Sequence, residues 1–312
     1  MGNGFGYGKV ILFGEHFVVY GLPAIASAIG SKTTASVRRM DKPGFHLVDN
    51  RSEIPGYKVK KKKEQDESIG NIFDFFEIDP EEQGLEIKFA GDLVAASGIG
   101  ASAASCAALS RALNDEFKLG FDNEKINAAA YEGEKGYHGT PSGIDNTAAT
   151  YGGLIWFKRN LQGGPNVIEK LKMKEPVEIV IASTGVTAST SKVVAEVKQQ
   201  REEQPEKFDQ IFENYEQLAV EARKALIENH LEKLGKLMDE NQELLRQIDV
   251  SSTELENLIN IAMDQGALGA KLTGTGRGGN MFVLTPGKEL QERVYDIFTK
   301  KGYTAWKTLI GI

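Results

Sequence analysis

The sequence predicts a mixed α/β chain, of the α+β kind. Short apolar or alternating runs rich in β-branched and aromatic residues recur along it, as in Val10–Phe13, Leu85–Phe89 and Val177–Ala182. Longer stretches repeat apolar residues at helical spacing, as in Phe208, Ile211, Phe212, Tyr215, Leu218, Ala219 and Ala222. A glycine loop at Gly98 and Gly100 grades directly into alanine-rich, helix-favouring sequence. The 312 residues suit two domains or one large one, and 41% hydrophobic content is ample for a core.

The elements follow in order. Val10–Phe13 reads as a buried strand with Lys9, Glu15 and His16 at its margins, where charged groups need partners or a function. Tyr20–Pro23 is a turn, and Ala24–Ile29 and Thr33–Val37 are apolar and strand-like. Residues 40–68 are polar, and Lys60–Lys63 reads as a solvated loop or strand edge whose charge Glu64, Asp66 and Glu67 offset. Ile69–Ile78 predicts a short helix, and Leu85–Phe89 alternates as a strand does. The glycine loop then starts a helix that ends near Gly120, and Asn123–Lys135 predicts another that ends at Gly136. His138–Asn146 is turn chemistry around Asp145, and Thr147–Phe157 reads as strand material. Composition shifts at Lys158–Pro176. Beyond it come the strand Val177–Ala182, the hydroxyl-rich turn Ser183–Thr190, and two amphipathic helical stretches. Thr253 and Glu256 have capping-box spacing for a helix stopping at Gly266. Lys271–Asn280 leads into the strand Met281–Leu284, a last helix Glu289–Lys300 and a last strand Thr304–Ile310.

Composition limits the function. A net charge of −7 argues against nucleic acid as the main partner, so any anionic ligand must be held by local donors. The single cysteine, Cys106, rules out an internal disulfide and a cysteine-based metal cluster, which fits a reducing cytoplasm. Lys9, Glu15 and His16 interrupt the first apolar run, so it does not read as a signal peptide. Nothing approaches the roughly 18–20 apolar residues of a membrane span. The expectation is a soluble, cytoplasmic protein that uses neither membrane nor nucleic acid.

The chemistry-bearing residues gather in a few stretches. A helix begun at Gly98–Ala104 points its unpaired N–H groups and its positive dipole end at the loop. No acidic residue occupies the first turn after Gly100, which leaves that start open to a phosphate, and Ser102 is the side chain there that could reach a metal ion. Close helix packing is the competing reading of the small residues. Gly274–Gly279 fits G-x-G-x-x-G, but a strand follows it where the dinucleotide fingerprint needs a helix, so a hairpin loop is the better reading. Phosphoryl transfer needs one carboxylate to hold Mg²⁺ and another to receive or orient the acceptor's proton. Glu134 with Ser102 could do the first, and Asp145 with Lys9 the second. A solvent-exposed Glu134 and a turn-capping Asp145 are the plain alternatives. His16 and His138 have no metal-ligand spacing.

Three separated stretches, Gly8–Gly21, Gly98–Ala104 and Lys271–Gly279, together resemble the three motifs of the GHMP kinase superfamily. The Gly14-Glu15-His16 start and the segment His138–Asn146 look most like its mevalonate kinase branch. The resemblance covers nearly the whole chain. It implies a two-domain fold, with a ribosomal-S5-like ATP-binding domain over 1–175 and a ferredoxin-like domain over 176–312, and an active site in the cleft between them. ATP phosphates would lie over Gly98, Ile99, Gly100, Ala101, Ser102, Ala103 and Ala104. By motif position Ser102 and Glu134 match the Mg²⁺ ligands, Asp145 the catalytic Asp and Lys9 the lysine beside it. Lys9, Glu15, His16 and Asp145 match substrate-side residues, and Thr187 is a looser match. The implied reaction phosphorylates the 5-hydroxyl of mevalonate or a similar small alcohol, with ATP and Mg²⁺, in a homodimer. The sequence departs from the pattern at Tyr7, at Ala95-Ala96, at Ala101, at Arg277 in place of a glycine and at Asn280. A guanidinium at Arg277 could grip a phosphate or carboxylate near the cleft, or point outward from the hairpin.

Overall fold

The computed structural model describes residues 1–53, 56–95, 98–186 and 188–312. The chain forms two units, each discontinuous in sequence: Met1–Val10 with Ala28–Gly152, and Ile11–Ser27 with Gly153–Ile312.

The first unit draws on β1 (Gly2–Phe13), β2 (Pro23–Met40), β3 (Phe45–Asp49), α1 (Tyr57–Lys60), α2 (Lys62–Phe76), β4 (Gly84–Gly91), α3 (Ala101–Phe117), α4 (Asn123–His138) and α5 (Ile144–Tyr151). Thr33–Met40 of β2 pairs antiparallel with β4, and β3 runs parallel to β4 on its other side. Alternate residues of these strands, among them Ala35, Val37, Leu85, Ile87 and Phe89, are buried in one cluster with Ile69, Ile72 and Phe73 of α2, Leu109 and Leu113 of α3 and Ile126 and Ala130 of α4. The period-2 pattern of the strands thus meets the period-3.6 faces of the helices.

Glycine at every second position of β1 has a packing cause. A Cβ added at Gly2, Gly4 or Gly6 would lie 2.2 Å from the carbonyl oxygens of Ala112, Ala108 and Ala104 respectively. Strand and helix α3 therefore meet backbone to backbone. The other face of β1 carries Phe5 and Tyr7, edge to face at 5.4 Å, with the Lys32 ammonium above both rings.

Two expectations fail here. Thr147–Tyr151 is helical, in α5, and the strand begins only at Leu154. The β-branched Thr147 and Thr150 favour a strand locally, but Ala148 and Ala149 are buried against the first unit's interior, and tertiary packing decides. Lys60, Lys62 and Lys63 are helical too, at the end of α1 and the start of α2, with Lys61 the turn between them. Lys61 pairs with Glu64 at 2.9 Å and Lys62 with Asp66 at 2.5 Å, the i,i+3 and i,i+4 geometry of a helix surface.

The second unit adds β5 (Leu154–Lys158), β6 (Val167–Leu171), β7 (Val177–Ser183), α6 (Thr190–Glu203), α7 (Pro205–Glu228), α8 (Leu231–Gln247), α9 (Thr253–Asp264), β8 (Gly269–Thr273), β9 (Asn280–Leu284), α10 (Lys288–Lys300) and β10 (Thr304–Ile310). Its strands run β10-β7-β9-β8, antiparallel throughout. Pro23–Ser27 of β2 pairs with β5, which pairs with β6. Tyr215 of α7 stacks on Phe17 at 3.9 Å, and its hydroxyl donates to the Pro23 carbonyl at 2.7 Å, so this buried tyrosine is packed and satisfied. The α9 cap is Ser252, one residue before the expected Thr253. Glu256 instead accepts bonds from Ser251, Gln242 and Arg246. Gly274–Gly279 joins the antiparallel strands β8 and β9, a hairpin loop as its sequence context requires. Among the described residues no helix is long and apolar enough to cross a membrane.

Candidate active site

In the first unit, Gly98 and Gly100 have φ of 92° and 73°, the left-handed region that favours glycine. Gly100 caps α3, whose first turn holds no acidic residue. The loop is pressed against Lys9. The Lys9 amide donates to the Ile99 carbonyl at 2.9 Å, and a Cβ on Gly100 would fall 2.7 Å from Lys9 Cγ. This unites the lysine of β1 with the start of α3.

Lys9 Nζ stands 3.1 Å from Asp145 Oδ1, and the two side chains are 12% and 29% exposed. Asp145 lies in the first turn of α5, where the helix dipole favours a negative charge, after a cap at Gly143 with φ 92°. Glu134, on α4, is not the solvent-exposed helical glutamate of the plain reading: it is 1% exposed. Burial first, and then the negative charge of Asp145, push its carboxyl up to about 8, against the opposing hydrogen bond from Ser102 and the charge of Lys9. His138 Nε2 is 3.8 Å from Glu134 Oε2, and burial holds that imidazole below its ordinary value. The structure thus brings together Lys9, Ser102, Glu134 and Asp145 from four elements.

In the second unit the first and third motifs meet. Glu15 and Lys271 form an ion pair at 2.6 Å with both side chains 0% exposed, and Lys271 also donates to the Leu272 carbonyl at 2.7 Å. Burial works to lower the Lys271 ammonium's pKa, against the pull of Glu15. His16 adopts φ 62°, and its Nε2 lies 2.7 Å from the Thr275 carbonyl oxygen. Burial holds this imidazole below its ordinary value too. Arg277 grips carboxylates, as one sequence reading allows, but they are the protein's own. Its guanidinium is spent on the protein: it pairs with Glu196, with Asp249 Oδ2 at 3.0 Å and with the Asp249 carbonyl at 2.9 Å. Two carboxylates and a carbonyl take three of its five N–H donors. Thr187 lies outside the described residues.

Family models match both halves of the chain. Residues 67–153 match the GHMP kinases N terminal domain and residues 222–304 the GHMP kinases C terminal model. A mevalonate kinase of Pyrococcus horikoshii is 33% identical over 300 residues, covering 90% of this chain and 88% of the relative. The chain belongs to the mevalonate kinase family. It is therefore a kinase of the GHMP type, built on that family's mixed α/β architecture, and ATP use follows from the family. Among solved structures, the L. major mevalonate kinase in complex with R-mevalonate has a TM-score of 0.94 and 41% identity, covering 99% of this chain and 96% of that one. The Methanococcus jannaschii mevalonate kinase has a TM-score of 0.81 and 26% identity, covering 99% and 98%.

Lys271 is a residue to which sequence reasoning gave no role. A lysine is almost never fully buried without a partner, so its position between Ala270 and Leu272 in an apolar strand was the available signal. The alternating glycines of β1 are a second such signal.

Proposed function

We propose that the chain transfers the γ-phosphoryl group of ATP to the 5-hydroxyl of mevalonate. One observation carries the reading. Lys9 and Asp145 form a part-exposed pair at 3.1 Å, in the same unit as the buried Glu134, Ser102 and the open helix start of α3.

The α3 start offers free N–H groups and a positive dipole end to the phosphates of ATP. Ser102 and Glu134 would hold Mg²⁺. The fit is electrostatic: a buried carboxyl pushed up to about 8 beside a second carboxylate is a site short of positive charge. The described residues contain no group of three or more His, Cys, Asp or Glu able to hold a metal. A shell completed by phosphate oxygens and water suits Mg²⁺. When bound, Mg²⁺ supplies charge neutralisation at the phosphates. Asp145 receives the proton of the acceptor hydroxyl as that oxygen bonds to the γ-phosphorus and the bond to the bridging oxygen of ADP breaks. Lys9 holds the Asp145 carboxylate in place and stabilises the negative charge that grows on the acceptor oxygen. The mevalonate bound in the L. major relative supports mevalonate as the acceptor.

The test is ADP release with Mg-ATP and a panel of mevalonate, phosphomevalonate, galactose and homoserine. Strong turnover on mevalonate alone is expected. Turnover on another member reassigns the acceptor, and silence on all four with ATP still bound overturns the reading.

A further inference from the structure

Behind the first turn of α3 lies a buried charged cluster that the chemistry above does not use. Arg51 is 6% exposed, and each of its three guanidinium nitrogens donates a hydrogen bond. On one side it makes a two-pronged contact with Asp49, Nε to Oδ1 at 2.9 Å and Nη2 to Oδ2 at 2.6 Å. On the other, Nη1 donates to Ser105 Oγ at 2.6 Å, to the Ala101 carbonyl at 3.4 Å and to Thr33 Oγ1 at 3.3 Å. Ser105 Oγ in turn donates to the same Ala101 carbonyl at 2.8 Å. Although burial works to raise it, the Arg51 bonds and charge hold Asp49's carboxyl below the usual range. Lys58 adds a second cation, with Nζ 2.9 Å from the Asp49 carbonyl and 3.6 Å from Asp49 Oδ1. Two cations and one carboxylate leave one net positive charge. Arg51, Lys58, Ser105 and Ser102 line a common cavity at this helix start.

We propose that Arg51 is a positioning residue for the phosphates of the nucleotide, acting through the first turn of α3. This rests on reading that turn as the phosphate cradle. A cation bonded to the oxygen of a peptide group polarises that group and strengthens the N–H donors hydrogen-bonded in series with it. Arg51 holds the Ala101 carbonyl from behind, so it fixes where the first-turn amides and Ser102 point. It also adds positive field at a helix start that must attract polyanions in a chain of net charge −7. The bidentate grip on Asp49 makes the guanidinium rigid, which a lysine could not reproduce.

The experiment compares ADP and adenosine binding by calorimetry, without Mg²⁺, for the wild type, Arg51→Met, Arg51→Lys and Ser105→Ala. Arg51→Met is expected to weaken ADP about 10-fold or more, the scale of a lost charge-assisted interaction, while adenosine changes less than about 2-fold. Arg51→Lys should recover part of the loss because it keeps the charge. Ser105→Ala, which leaves the Arg51–Asp49 pair intact, covers the case in which Arg51→Met does not fold and should weaken ADP about 3-fold. Equal losses for ADP and adenosine, or an unchanged ADP affinity in Ser105→Ala and in the folded Arg51 variants, overturn the inference. A wild type that binds ADP no better than adenosine overturns the cradle reading itself, a different result.

Discussion

The molecule holds two lysine–carboxylate pairs of nearly the same chemistry in different surroundings. Lys9–Asp145, in the first unit, is 3.1 Å long and 12% and 29% exposed. Lys271–Glu15, in the second, is 2.6 Å long with both partners at 0%. The first is partly reached by solvent, and the second is walled in, its ammonium lying over the rings of Phe13 and Phe282. A part-exposed pair costs little to disturb and can exchange partners with a substrate. A sealed pair is expensive to break, because the charge left behind has no water to turn to. On the proposed reading, exposure separates a pair that takes part in the reaction from one that is sealed away from solvent.

Asp145→Asn should sharpen the contrast most. Turnover is expected to fall about 10³-fold, the range of a lost general base, with ATP still bound and stability changed by less than about 1 kcal/mol. Turnover assays alongside chemical denaturation check both halves, and a large stability loss without a rate loss would erase the distinction. Lys271→Met should do the reverse, costing about 3–5 kcal/mol by taking the ammonium from the buried Glu15 carboxylate, and the double change Lys271→Met with Glu15→Gln should recover most of it. Urea denaturation of the single and double variants measures this. If the single variant is as stable as the wild type, the pair is no fixture.

The buried carboxyl beside Asp145 carries its own signature in pH. Glu134 is pushed from 4.5 up to about 8 in the folded chain. Above its ordinary value the unfolded chain gives up that proton while the folded chain keeps it. The metal-free protein is therefore at its best on this account below about 4.5, and it loses stability as pH rises toward 8, with a slope of up to about 1.4 kcal/mol per pH unit. Melting curves across that window should show the slope, and Glu134→Gln should flatten it. An unaltered slope in the variant would assign it to other groups. Gly6→Ala should cost about 3 kcal/mol or more, because the added methyl would lie 2.2 Å from the Ala104 carbonyl oxygen with only backbone around it, as a thermal melt would report.

The sequence made some of this legible and hid the rest for physical reasons. The helix start after Gly100 was readable because glycine and alanine leave few alternatives there, and the hairpin at Gly274–Gly279 because a strand follows it. Lys9 and Asp145 could be named from motif position, but 135 residues lie between them and no local pattern encodes their 3.1 Å contact. Thr147–Tyr151 misled because β-branched propensity is weaker than burial of the alanines between the threonines. Lys60–Lys63 misled because a run of like charges precedes the buried face of α2, which begins at Gln65 and turns apolar only at Ile69. Arg277 was noticed as an anomaly, but its partners Glu196 and Asp249 come from distant segments.

The bare face of β1 fixes a length scale. Along a strand, two residues advance about 6.6 Å, and along a helix four residues advance about 6 Å. Gly2, Gly4 and Gly6 match Ala112, Ala108 and Ala104 tooth for tooth at those near-equal pitches. With no side chains between the two backbones, no rotamer can change to absorb a small slide. A slide of part of a notch would press backbone on backbone with no side chain able to give. Lys9 on the strand and Ser102 on the helix are thereby indexed to each other like two marks on a ratchet.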